Sequence, residues 1–429
     1  MNRDATKMLL RQLFDAAVTA AHPSICLTPA LPNPPEHGNI LVLAAGKAAG
    51  SMAEVAEAHY LGAGLPLDRI AGIAVTRHGY GRPTRRIEMV EAGHPVPDEA
   101  GLNATERVLT LAHQTNDSDL VLVLLSGGAS ANWIAPALGI SLDDKRGLTS
   151  ALLSSGATIS EINTVRKHLS RIKGGRLATS TPRGRLLTLA ISDVPGDDPS
   201  VIGSGPTVPD PSTLREAQAI LLQRKIEPPP SIARALRDPE NESPKPDNRA
   251  FAKCEYRIVA RPIDALVAAS NAARKEGFTP IVLGDQIEGE ARQIAQSHAQ
   301  QAIRIAGEGK RSVLLSGGEL TVTLHGKGRG GPNQEYALAL ALALNGSRGI
   351  AAVAGDTDGT DGGSGKADDP AGAFVDETTL VRAKKLGLDP ARFLADNNST
   401  DFFEQLGDLL DPGPTYTNVN DLRAIVVDS

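Results

Sequence analysis

The sequence predicts an α/β protein of two domains, each with a largely parallel sheet. Three observations carry this. Short apolar runs alternate with stretches of helical period along most of the 429 residues. Most of those runs are continuous rather than alternating, as strands covered on both faces are. Glycines and polar residues gather just after them, where open α/β sheets carry their ligands.

The elements follow in order. Residues 4–20 place Leu9, Leu10, Leu13, Phe14 and Val18 at helical spacing. A proline-rich loop (Pro23, Pro29, Pro32, Pro34, Pro35) can continue neither helix nor sheet. NILVLAAG (39–46) reads as a buried strand feeding a helix that starts at Lys47. Strands are expected at 70–77 and 86–93, a helix near 98–114, and a second buried strand at 119–128. Helices are expected at 142–154 and at 160–173, the second stopped by Gly174 and Gly175, and a strand at 185–193. Residues 227–250, rich in proline and charge, mark a domain boundary. The domains are therefore expected at 1–240 and 241–429, the last residues packing back on the first domain. Beyond the boundary come strand 256–261, helix 262–276, strand 279–284, helix 288–306 and strand 311–316. TVTLHG (321–326) alternates like a hairpin partner, and NQEYALALALALNG (333–346) is apolar nearly all round, as a deeply buried helix is. Strands at 349–356 and 422–427 complete the pattern.

Composition narrows the function. Forty-four basic against fifty acidic side chains leave a formal charge of −6, which removes a general affinity for phosphate backbones. Aromatic residues make up 3%, too few for the base-stacking platforms of single-strand binders. A nucleic-acid partner is not expected, nor a membrane, since no apolar run is long enough to span one. Cys26 and Cys254 cannot build a disulfide framework. A cytoplasmic location, as monomer or homodimer, is the expectation.

Five predicted strand ends bear the candidate chemistry. VLLSGG occurs at 123–128 and again at 313–318. Its glycines allow successive N–H groups to point into one concavity and hold an anion, although a tight turn without ligand is an equally common outcome. The anion-binding candidates are Gly46, Ser126, Gly127, Gly128, Arg166, Ser316, Gly317, Gly318, Glu319 and Asn333. Lys47 stands where a strand becomes a helix, among small residues that let a large anion approach. GKGRGGPNQEY (326–336) sets Arg329 among glycines, a mobile loop whose guanidinium closes over phosphate oxygens or is simply solvated. GDTDGTDGGSGKADD (355–369) offers Asp356, Asp358 and Asp361 as hard oxygen ligands for Mg²⁺, with Asp197 after strand 185–193 as a further ligand. Asp193 at that same strand end suits a hydroxyl-orienting carboxylate or a metal ligand. In helix 160–173, Arg166 and Lys173 share one side and attract an anionic substrate. No Walker A motif occurs, because Leu41 stands where its first glycine should. No G-x-G-x-x-G opens a helix, so the first domain is Rossmann-like without a dinucleotide fingerprint.

Taken together, LAAGKAAGSM, AGHPVPDEAG, LLSGGASAN, INTVRKHLSRIKGGRLA, ISDVPGDDPSVIGSGPTVPD, LLSGGELTV, GRGGPNQEYALA, AGDTDGTDG and GPTYTNVNDL resemble the bacterial-type glycerate 2-kinase family, whose C-terminal half is called the MOFRL domain. The resemblance implies two α/β domains flanking an active-site cleft. It also implies ATP-dependent phosphorylation of D-glycerate at the 2-hydroxyl, assisted by Mg²⁺. By motif it implies Lys47, Asp193 and Arg329 as catalytic residues. Tyr416 stands in GPTYTNVND where glycine or histidine is expected. Some relatives carry the label hydroxypyruvate reductase, which makes NAD(P)H-dependent reduction the alternative.

Overall fold

A computed structural model describes residues 2–363 and 366–428, and its contacts divide the chain into two compact units. One unit holds Cys26–Val259. The other holds the chain up to Ile25 together with everything from Ala260 onward.

The Cys26–Val259 unit is built on a six-stranded sheet. Its strands are β1 (Ile40–Ala45), β2 (Ile70–Arg77), β3 (Ile87–Ala92), β4 (Leu120–Leu125), β5 (Arg185–Ile191) and β6 (Cys254–Ala260), in the order β3-β2-β1-β4-β5-β6. The pairs from β3 across to β5 are all parallel. This is the doubly wound order, and it reverses direction between β1 and β4. Every residue of β1 and of β4 is buried, as their unbroken apolar runs require. Ala45 lies level with Leu125, so β1 and β4 finish together, while β2 runs two residues past Val75 to Arg77.

The second sheet departs from expectation. It contains β7 (Thr279–Gly284), β9 (Ser312–Ser316), β11 (Ile350–Asp356), β12 (Gly372–Val375), β13 (Leu409–Leu410) and β14 (Asp421–Val427), in the order β13-β12-β11-β14-β9-β7. Only β7 and β9 pair in parallel; the other pairs are antiparallel, so this sheet is mixed. Buried strands read alike in either direction, and the reversal comes from β14 entering between β9 and β11. That strand lies near the middle of this sheet, where helix Arg3–Ala21 packs on it. The alternating run at 321–326 is not a hairpin arm either. β10 (Leu320–Thr321) is two residues long and pairs in parallel with β8 (Gly289–Glu290).

The units also differ from the division at 240/241. The helix Arg3–Ala21, capped by Asn2 accepting from the Ala5 N–H at 2.8 Å, packs on helix Pro262–Lys275 and on β11 and β14. Arg3 and Lys7 reach Asp408 at 2.8 and 3.3 Å. The proline- and charge-rich stretch carries a short helix, Pro230–Ala235, whose Ile232, Ala235 and Leu236 join a buried cluster of the Cys26–Val259 unit. The division therefore falls later, at Val259. Among the described residues no helix is long and apolar enough to cross a membrane.

Candidate functional site

Each unit carries one polar cluster at the carboxyl ends of its strands. In the Cys26–Val259 unit it sits where β1 and β4 part. Gly46 follows β1 with φ +118°, and a Cβ there would strike the Ser126 hydroxyl and carbonyl, so only glycine fits. The Lys47 N–H donates to the Gly127 carbonyl at 2.8 Å, and the Ala48 N–H donates to Ser126 Oγ at 2.9 Å. Ser126 is fully buried. Its hydroxyl thus fastens the two turns together, and the helix Ala49–Gly62 leaves from that point. Gly128, at φ +86°, packs beneath two side chains. A Cβ there would stand 3.0 Å from His94 Nε2 and 3.4 Å from Lys47 Cγ. The fold thereby sets His94 beside the Lys47 stem.

A second group of cations surrounds the short helix Ala129–Asn132. The expected helix 160–173 ends at His168, so Lys173 lies beyond it and does not share a helical face with Arg166. Lys173 is buried and donates to the Ser130 and Trp133 carbonyls, both at 2.8 Å. Lys145 donates to the carbonyls of Leu169 at 2.7 Å and Arg166 at 3.2 Å, past the end of Ile159–His168. Both amines thus sit at helix C-termini, where carbonyls gather. Burial, and then the nearby Arg166 charge, lowers Lys145 to about 7. Burial also holds Lys173 well below its ordinary value, with Lys145 and Arg166 adding. Arg166 itself is half-buried and lowered by desolvation. Its guanidinium has no hydrogen-bond or ion-pair partner among the described residues.

Asp193 follows β5 and is half-buried. Burial, with Asp198 and Asp193 adding, pushes the Tyr256 phenol up, which places that ring within reach of the Asp193 charge. Asp197 is half-buried in the left-handed region at φ +55°.

In the other unit, β14 runs against β9 and β11, so its first residues meet their last ones: Asp421 pairs with Asp356, and Arg423 with Ser316. Arg423 is 1% exposed. It donates to Ser316 Oγ at 3.2 Å, to the carbonyls of Gly317 and Gly318, and to Asp421 at 2.9 Å. The second Gly turn is therefore held from below by a buried guanidinium, while Glu319 beside it is exposed. Arg423 escaped the sequence reading, although an arginine inside the apolar run LRAIVV was the available signal.

The acidic loop divides by role. Asp361 accepts from the Asn333 N–H at 3.0 Å and the Gln334 N–H at 2.8 Å, and from both amide side chains. It caps the buried helix Pro332–Leu344 from outside, and burial raises it to about 7. Asp356 accepts from the Asp358 N–H at 2.9 Å, and Asp358 from the Thr360 N–H at 2.8 Å. The segment carrying Tyr416 lies over this loop: the Thr415 N–H donates to the Asp358 carbonyl at 3.3 Å, and Tyr416 has φ +59°. Ser364 and Gly365 of the same loop lie outside the described residues. Among the described residues no three of His, Cys, Asp and Glu are gathered to hold a metal ion.

The glycines of GKGRGGP do not serve mobility. The loop lies flat along residues 396–399. A Cβ at Gly326 would meet the Asp396 backbone, at Gly328 the Asn398 backbone, and at Gly330 the Ser399 hydroxyl. Alternation then turns Lys327 and Arg329 outward. Arg329 is 61% exposed and is held by Asp401 at 2.5 Å and Glu404 at 3.0 Å, which keep its pKa raised.

Fold and site together define a class: a two-unit α/β protein with a Gly-turn cluster in each unit. A family model described as "Domain of unknown function (DUF4147)" matches residues 9–237, and the MOFRL family model matches residues 312–421. "D-glycerate 2-kinase" of Thermotoga maritima is 38% identical over 98% of both chains. The crystal structure of a glycerate kinase from that organism superposes with a TM-score of 0.86 at 37% identity, covering 99% of this chain and 100% of that one. A protein of Agrobacterium vitis named "Putative hydroxypyruvate reductase" is 46% identical over 99% of this chain and 95% of its own length. The chain belongs to the DUF4147–MOFRL family of glycerate 2-kinases.

Proposed function

We propose that the protein transfers the γ-phosphoryl group of ATP to the 2-hydroxyl of D-glycerate, giving 2-phosphoglycerate and ADP. One observation carries this reading: full-length likeness, in sequence and fold, to the glycerate kinase of Thermotoga maritima. In this reading the reaction runs in the cytoplasm, where ATP is abundant. The glycerate oxygen forms a bond to the γ-phosphorus as the bond to the β–γ bridging oxygen breaks. Asp193 orients that hydroxyl and takes its proton. Lys47, on the turn fastened by Ser126, and the outward-facing Arg329 stabilise the phosphoryl oxygens as their charge shifts. Mg²⁺ would be held by Asp356 and Asp358, whose hard oxygens at the end of β11 fit an ion that takes one or two carboxylates and completes its shell with phosphate. It would neutralise phosphate charge.

The test is ADP release from ATP with D-glycerate, with the product read by ³¹P spectroscopy to separate the 2- from the 3-phosphate. NADH oxidation with hydroxypyruvate runs in parallel, because the name of the Agrobacterium protein points to that reaction. NADH consumption without ADP release would reverse the assignment.

A further inference from the structure

Three cations gather near Ala129–Asn132, Lys145 and Lys173 buried and Arg166 half-buried, and among the described residues no acidic side chain pairs with any of them. Two of them, Lys145 and Lys173, are occupied by carbonyls. The third, Arg166, has five donors and no acceptor among the described residues. Burying like charges without a counter-ion is costly unless an anion arrives to pair with them.

A chain of polar side chains leads to the helix that carries this unpaired fork. Ser130 Oγ bonds Ser204 Oγ at 2.7 Å, and Ser204 Oγ donates to Asn163 Oδ1 at 3.2 Å. Asn163 lies one turn before Arg166 on Ile159–His168, so the two share a face. Ser204 is fully buried and holds φ +61°, between Gly203 at +59° and Gly205 at +60°. A left-handed serine between two left-handed glycines is a strained arrangement, and strain of this kind persists where the surroundings demand it. The demand here is visible: the carbonyls of Ser204 and Gly205 are clamped by the Gly174 and Gly175 N–H groups at 2.9 and 2.7 Å, and the Ser204 hydroxyl is thereby aimed at Ser130.

We infer that Arg166 binds the carboxylate of the acceptor acid, with the Ser130 hydroxyl beside it, and that Ser204 and Asn163 are positioning residues for that hydroxyl. A planar guanidinium matches a carboxylate in two parallel bonds, and a rotatable hydroxyl next to it suits the adjacent oxygen of a 2-hydroxy acid. The inference deepens the glycerate-kinase reading and rests on it for the identity of the acid.

Initial rates of ADP release by the full chain, over ranges of D-glycerate and of ATP, test it. In Arg166→Gln the KM for D-glycerate should rise roughly 10- to 100-fold while the KM for ATP stays put. Arg166→Lys should recover part of the loss. Ser204→Ala should raise the KM for D-glycerate several-fold with less effect on kcat, a split that a merely structural role would not produce. An unchanged KM for D-glycerate in both Arg166 variants overturns the assignment, as does a rise in the KM for ATP, which would make the anion a nucleotide phosphate. Thermal stabilisation by D-glycerate without ATP separates this from the kinase reading. If the wild type releases no ADP yet is stabilised by the acid, and Arg166→Gln is not while Arg166→Lys is stabilised less than the wild type, the kinase reading falls and the carboxylate site stands. Equal stabilisation of wild type and variants, or none in any, removes the site. Arg166→Lys provides the comparison should Arg166→Gln fail to fold.

Discussion

Asp361 and Asp421 share one amide: Nδ2 of Asn333 donates to Asp361 at 3.2 Å and to Asp421 at 2.6 Å. Two buried carboxylates bridged in this way cannot both ionise cheaply, although Arg423 compensates Asp421 and the Asn333 and Gln334 N–H groups support Asp361. Burial raises both acids. The proton of Asp361, held up to about pH 7, is therefore a stability term. Its folded pKa lies above the unfolded one near 3.8, so its contribution is full below that value and is lost as pH rises through about 7. The melting temperature should fall between pH 5 and pH 8 in the wild type. Asp361→Asn should melt lower throughout, with a flatter profile. Parallel profiles would show that Asp361 does not hold that proton.

Lys145 has the opposite sign. Its folded pKa is depressed to about 7 from 10.5, so its contribution is full above the unfolded value and disappears as pH falls through about 7. Between pH 7 and pH 9 the wild type should gain stability relative to Lys145→Met. The comparison is made by denaturant melts at each pH, and a constant gap between the two proteins would contradict the burial argument.

The flat Gly loop predicts a contrast between two alanine substitutions. At Gly328 a new Cβ would sit 2.5 Å from Asn398 Cα, and backbone cannot yield as a flexible side chain does. Gly328→Ala should cost about 1–3 kcal/mol and dislodge Arg329. At Gly62, the last residue of its helix, a Cβ meets nothing within 4 Å. Gly62→Ala should be neutral or stabilise by about 0.5 kcal/mol. Equal losses at both sites would remove the close-packing explanation.

Two cations assigned to phosphoryl transfer can be separated from folding. Lys47→Ala and Arg329→Ala should each lower kcat by on the order of a hundredfold with unchanged circular dichroism. Asp401→Asn, which loosens Arg329 without removing it, should lower kcat by a smaller factor. Wild-type turnover in both alanine variants would withdraw their catalytic role.

What could be read from the residues followed from burial, and what could not followed from direction and partnership. β1 and β4 were visible because a strand buried on both faces must be apolar throughout. That β14 runs against β9 was invisible, since LRAIVV reads alike either way. Lys47 stood out by its place after an apolar run. His94 did not, because its nearness to Lys47 is created across Gly128. The glycines around Arg329 were noticed, yet their purpose was misread: they allow backbone to lie against backbone. Asp361 looked like a ligand because an acidic loop hides which carboxylate faces inward to a helix N-terminus.

The unit that begins with Arg3–Ala21 is completed by β14, while the Cys26–Val259 unit is read out between them. On a ribosome the inserted unit can close its core as soon as β6 emerges. The opening helix cannot. Its Leu9, Leu10, Leu13 and Phe14 meet their first partner of the same unit, helix Pro262–Lys275, only after the whole inserted unit is made, and β14 follows roughly 7–30 s later at about 5–20 residues per second. The order of synthesis thus separates that apolar ridge from every other surface of its own unit by the full length of the inserted one.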